Sequence, residues 1–189
     1  MNTKPVLGFH FHFVWRRLAI AALISSCSIA SAQERGDDEQ GVVIGTVVVI
    51  VADPAEDSGL LRGRKLDEMK WGLMIAKNKV FSFTSKHVDV RSGAEKHFLV
   101  KLDAGSYSFE QLTAQGFANF YYPVGIAFDV TPGTTTYIGK LEILLPYRMN
   151  DGPAAYNIVD SQAETVDALK DDHPELAAGV TTDLMVLVE

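Results

Sequence analysis

The chain has 189 residues, with 24 acidic against 17 basic side chains and a formal net charge of −7. An acidic balance argues against nonspecific nucleic-acid binding, which depends on neutralising phosphates with Lys and Arg. The single cysteine, Cys27, lies near the N-terminus, so the region beyond it offers no disulfide, cysteine nucleophile or thiolate metal site.

Arg16 and Arg17 precede the apolar run 18–24, and a small-residue stretch ends in Ala30-Ser31-Ala32. A positive flank, a short apolar core and an A-x-A exit predict a secretory signal peptide over residues 1–32. The run is too short to span a bilayer, which needs about 20 apolar residues. The expected location is periplasmic or extracellular. The string Leu23-Ile24-Ser25-Ser26-Cys27 resembles the lipobox of bacterial lipoproteins, in which the cysteine carries lipid. Nine residues separate Arg17 from Cys27, short for a lipoprotein core. Both readings stand: release at Ala32, or lipid anchoring of the chain to the bacterial membrane through Cys27. A lipid anchor is the membrane contact expected.

Residues 33–40 are polar and read as a leader, and 41–189 as a single domain long enough to bury a core. Charge is uneven within it. From Arg62 to Lys101 ten basic residues face four acids, whereas from Asp151 to Glu189 nine acids face Lys170 alone. Solvated faces account for this, as does a polarised domain whose ends attract each other or steer a partner.

In chain order, the β-branched run Val42–Val51 predicts a long buried strand, with Gly45 marking a bulge or a close backbone approach. Residues 54–70 read as a loop. Trp71–Ala76 and Val80–Thr84 read as paired strands, and so do His87–Val90 and His97–Leu102, the latter with Phe98, Val100 and Leu102 inward. Asp103-Ala104-Gly105 turns into a strand that carries Tyr107 and Phe109 on one face. Phe117 to Tyr122 is aromatic-rich. Ile126, Phe128 and Val130 point inward, and Thr131-Pro132-Gly133 supplies turn chemistry for a hairpin into Thr135–Leu145. There, Tyr137, Gly139, Leu141, Ile143 and Leu145 are expected on one face and Ile138, Lys140, Glu142 and Leu144 on the other. Ser161 and Glu164 suggest a capping box for a helix over 162–170, ended by Pro174, with Val166 and Leu169 as its apolar stripe. Thr181–Val188 reads as a last strand. Eight or nine short strands argue for a mainly β protein, an antiparallel β-sandwich with one peripheral C-terminal helix.

Leu102-Asp-Ala-Gly-Ser-Tyr107, Phe128-Asp-Val-Thr-Pro-Gly133 and Tyr137-Ile-Gly139 resemble the L-x-x-G-x-Y … F-x-V-x-P-G … Y pattern of carboxypeptidase-regulatory-like domains. Those are transthyretin-like (prealbumin-like) sandwiches common in bacterial envelope proteins and lipoproteins. The match covers about residues 98–145 and rests on turns and core aromatics, which speak for fold more than for function. The resemblance implies a noncatalytic module with no active-site residues to carry over, no enzyme activity and no cofactor.

Chemistry-bearing residues are sparse. His87 and Asp89 share a strand face. A three-residue turn at Arg91-Ser92-Gly93 would set His87 opposite His97 and gather a metal site from His87, Asp89 and His97, the basis of an alternative metal-dependent or metal-binding reading. A two-residue turn at Ser92-Gly93 would set His87 on the other face. No G-x-S-x-G elbow surrounds any serine, and Asp167, Asp171, Asp172 and Glu175 lack calcium-loop spacing. Phe120, Tyr121 and Tyr122 are consecutive aromatics that cannot all face one core, so at least one is expected at the surface as a binding residue. The expected partner is an envelope protein or a cell-wall or membrane component. Self-association would follow if the Val42–Val51 run paired with a neighbour's sheet edge.

Overall fold

A computed structural model describes residues 39–52, 69–78, 85–116, 121–147 and 152–188. The chain divides into two units, Met1–Gln33 and Glu34–Glu189. The first lies outside the described residues, and with it the expected signal peptide and Cys27. So do most of the polar leader, the expected loop at 54–70 up to residue 68, the expected strand Val80–Thr84, and Phe120. No described helix is long and apolar enough to cross a membrane.

The second unit is mainly β. Its strands are β1 (Gln40–Val51), β2 (Lys70–Lys77), β3 (Ser85–Arg91), β4 (Lys96–Asp103), β5 (Gly105–Ala114), β6 (Tyr121–Val130), β7 (Thr135–Leu145) and β8 (Ala155–Val159). Helix α1 (Gln162–Leu169), a 3-10 turn (Pro174–Ala178) and the two-residue strands β9 (Thr181–Thr182) and β10 (Val186–Leu187) follow. One sheet, A, runs β4-β1-β7-β8, with β9 also on β7. The other, B, runs β10-β6-β5-β2-β3. Pairing is antiparallel except for β1 with β7 and β7 with β9. Val43, Val47 and Val49 of β1 and Leu141, Ile143 and Leu145 of β7 share one buried cluster with Trp71, Leu73, Phe109, Leu112 and Ile126 of sheet B. The two sheets therefore enclose a common core, as the sandwich reading expects.

β1 is apolar on both faces because it is covered on both up to Val49. Its other face carries Ile44, which joins Tyr137, Leu169 and Leu176 in a second cluster beneath α1 and the 3-10 turn. With β4 on one edge and β7 on the other, both edges of β1 are paired within the chain.

At Gly45 the β1–β7 register slips, from Ile44 opposite Tyr137 to Thr46 opposite Lys140. Two residues of β7, Ile138 and Gly139, thus oppose one of β1, and Gly139 takes φ +108°. Such a bulge reverses side-chain alternation. The expected single alternation from Tyr137 to Leu145 is accordingly corrected: Tyr137 turns outward under α1, and Ile138 joins Leu141 and Ile143 in the core.

Two expected hairpins are connections between sheets instead. β3 belongs to sheet B and β4 to sheet A, and likewise β6 to B and β7 to A. The turn glycines explain this. Gly93 N–H donates to Val49 O at 2.8 Å and Gly133 N–H to Gln40 O at 2.8 Å, so both turns are tied to β1. The expected C-terminal strand is also split. β9 lies on sheet A, Asp183 and Met185 donate to the Tyr137 and Ile138 carbonyls, and β10 then joins β6 on sheet B. Buried Met185 sits at this crossing. β8 was not expected from the sequence.

Helix α1 starts after Ser161, as expected, but the Ser161 side chain does not cap it; Asp160 Oδ1 accepts from Gln162 N–H at 3.2 Å. The Tyr137 hydroxyl accepts from Ser161 N–H at 2.7 Å. Thr165 and Leu169, one turn apart, are its buried residues. Pro174 stands at the start of the 3-10 turn, where its missing N–H costs nothing.

Candidate functional site

The imidazoles come apart in the structure. His87 on β3 pairs with Met74 of β2, and His97 on β4 pairs with Thr46 of β1, in the other sheet. The metal reading required these two strands to be neighbours, and the β3–β4 crossover removes that premise. Asp89 accepts from Gln115 Nε2 at 2.7 Å. Among the described residues no group of three His, Cys, Asp or Glu is placed to hold a metal ion. Of the helix-end carboxylates, Asp167 pairs with Lys170, and Glu175 lies 3.2 Å from His173.

His97 instead belongs to the joint between sheet A and α1. Its Nδ1 lies 2.8 Å from Thr46 Oγ1, which lies 2.8 Å from Thr165 Oγ1. Both threonines are buried, so this chain of polar atoms satisfies groups that would otherwise be costly under the helix. Beside it Lys140 of β7 reaches across β1 to pair with Glu95, with Glu142 at 3.7 Å. The hydrogen bond between them holds the Glu95 carboxyl below the usual carboxylate range and Lys140 above its own. These contacts are structural, and no spacing in the sequence announces them.

The aromatic segment is better resolved by the fold. On β6 the residues Tyr122, Val124, Ile126 and Phe128 are buried, which puts Tyr121, Pro123, Gly125 and Ala127 on the outer face of sheet B. Tyr122 packs against Trp71, ring centres 6.3 Å apart, whereas Tyr121 is 56% exposed. The third aromatic, Phe120, lies outside the described residues. Strand β10 continues the same face: Val186 pairs with Ala127, and Val188 N–H donates to Gly125 O at 2.9 Å. Val186 and Val188 are 59% and 58% exposed, and Leu187 and Leu184 are exposed too. Tyr121 and Pro123 on β6 and Val186 and Val188 on β10 thus form an apolar row along one edge of sheet B's outer face. Proline at this edge withholds a donor from any strand that would pair there.

Tyr156 of β8 clamps the row from the other sheet by donating its hydroxyl to Pro123 O. Burial, assisted by Tyr122, pushes its phenol up to about 12. The C-terminal half of this row escaped the sequence reading because alternation within Thr181–Val188 cannot show that the chain changes sheets at Met185.

No model of a known protein family matches the chain, and no curated protein sequence matches it. Among solved structures it is similar to a leucine-rich repeat protein from Bacteroides thetaiotaomicron VPI-5482, at 14% identity and a TM-score of 0.35 over 57% of this chain. The chain spans 14% of that protein's length.

Proposed function

We propose that this chain is a noncatalytic, exported β-sandwich module that works by binding or scaffolding at the cell envelope. The observation that carries the reading is the apolar row on sheet B. On sheet A's outer face α1 covers Ile44 and Tyr137 and leaves the cross-strand pair Ile50 and Leu144 exposed, whereas on sheet B Tyr121, Val186 and Val188 stand more than half exposed on one face. Exposed apolar side chains gathered in one place mark contact surfaces more often than scattered ones do. The partner in this reading is an envelope protein or a cell-wall or membrane component, met by Tyr121 among the contact residues. Arg16, Arg17 and the Ala30-Ser31-Ala32 exit support a periplasmic or extracellular location, and Cys27 supports the lipid-anchored variant of it.

Tyr121→Ala and the pair Val186→Ser, Val188→Ser test the reading. Each should leave the far-ultraviolet spectrum unchanged and weaken direct binding to a partner identified from envelope extract by the unaltered chain. Retention of that binding by both variants would remove the row from the account. Intact mass of the protein recovered from cells separates a Gln33 start from an acylated Cys27. A product beginning at Met1 would contradict export.

A further inference from the structure

We infer that the crossover between β3 and β4 forms a binding site for a phosphate-bearing ligand. Three cations converge there from three strands: Lys70 on β2, Arg91 on β3 and Lys96 on β4 line one cleft of about 390 Å³. Lys70 and Arg91 are direct cross-strand partners, both exposed, on the face opposite buried Trp71 and Val90. Like charges set opposite each other destabilise a sheet, so the fold gives this pair nothing in return. Nor do neighbouring acids neutralise it. Glu95 lines the cleft but is engaged by Lys140, and Asp89, held by the Gln115 amide, keeps its charge, so the cleft carries three cations against one unpaired carboxylate. Among the described residues no carboxylate lies within ion-pairing distance of Lys70, Arg91 or Lys96.

The chemistry of the lining selects the ligand class. A guanidinium presents a planar fork of donors that matches phosphate oxygens, and two ammonium groups beside it act as point charges. With Asp89 counted, the three cations exceed the unpaired carboxylate by two charges, which a phosphate dianion balances and a monocarboxylate does not. The cleft exceeds a bare phosphate ion, which leaves room for the organic group that carries it.

The test titrates the purified chain with inorganic phosphate, with chloride and acetate at matched ionic strength as controls, while amide and guanidinium resonances are followed by NMR. Saturable shifts at Gln115, Arg91 and Lys96 are expected with phosphate alone, and Arg91→Gln should weaken them by about tenfold or more, the loss of one charge-assisted bond. Lys70→Gln separates ligand binding from mere surface charge: without phosphate it should unfold at a higher temperature than the unaltered chain, and it should lose the rise that phosphate produces. Glycerol phosphate and phosphatidic acid vesicles then distinguish a soluble source from a lipid headgroup, by which of them the unaltered chain binds and Arg91→Gln does not. Non-saturating shifts, equal shifts with chloride, or shifts unaltered in Arg91→Gln would overturn the inference.

Discussion

Replacing Gly45 by alanine tests the close approach at the centre of sheet A. A Cβ at this position would meet Phe98 Cζ at 2.8 Å and the Gly139 carbonyl oxygen at 2.9 Å, both closer than real Cβ contacts come. The phenyl ring has little freedom to yield. Phe98 stands edge-on to Phe109 at 6.3 Å, and Phe109 is fully buried with Phe128 5.1 Å away. The carbonyl belongs to the bulge, where Gly139 already holds a positive φ. Overpacking of this kind costs about 1–3 kcal/mol. Loss of unfolded-chain entropy on changing glycine to alanine returns about 0.4–1 kcal/mol. The net expectation is about 1–2 kcal/mol of destabilisation, or a urea midpoint lower by roughly 0.5–1 M for a slope of about 2 kcal/mol/M. Gly72 is the control within the same fold. It too is a buried strand glycine, but a Cβ there meets only His87 Nδ1, at 3.8 Å, an ordinary contact. Gly72→Ala should therefore be neutral or stabilising by up to about 1 kcal/mol. A Gly45→Ala protein as stable as the unaltered chain, or a Gly72→Ala protein damaged as much, would refute the steric argument.

Leu169→Ala should cost about 2–3 kcal/mol in thermal or chemical unfolding, because its side chain closes the cluster of Ile44, Tyr137 and Leu176 under α1. Tyr137→Phe removes the hydroxyl that accepts from Ser161 N–H and should cost about 1–2 kcal/mol. Its hydrogen exchange should quicken at the start of α1 while β5 and β6 keep their protection. The Tyr156 phenol ionises at about 12, above its ordinary 10.0, so folding favours the neutral ring. The associated stability is fully present below the ordinary value and is lost as pH rises through the folded one. Phenolate absorbance should report a late-titrating tyrosine that vanishes in Tyr156→Phe, and that variant should show less loss of stability across this alkaline window.

Much of the sandwich was legible in side-chain alternation. Tyr107 with Phe109, and Ile126 with Phe128 and Val130, mark their inner faces because period two is a local property of an extended chain. The Val42–Val51 run is legible as a long buried strand for a different reason, its unbroken β-branched composition. What alternation cannot carry is the sheet to which each strand belongs. Ser92-Gly93 and Thr131-Pro132-Gly133 have turn chemistry that suits a hairpin and a crossover equally, and the contacts that go with the crossover, hydrogen bonds to β1, are distant in sequence. Strand β8 was missed because Ala155–Val159 is short and its apolar residues, Tyr156, Ile158 and Val159, are only half-buried. A similar limit divides the candidate residues. That one of three consecutive aromatics reaches the surface follows from geometry, and Tyr121 does. That His87 and His97 meet depended on strand pairing, and the pairing is different. The convergence of Lys70, Arg91 and Lys96 requires two sheets to be placed side by side, which no spacing within 70–96 reveals.

The account rests on β3 and β4 lying in opposite sheets, since that placement forms the sandwich, separates the imidazoles and creates the cationic cleft. Interstrand backbone nuclear Overhauser effects test it most directly. The structure predicts contacts between His87 and Met74, between His97 and Thr46, and between the parallel partners Val47 and Leu141. Cross-strand contacts that pair His87 or Val88 with His97 would contradict it.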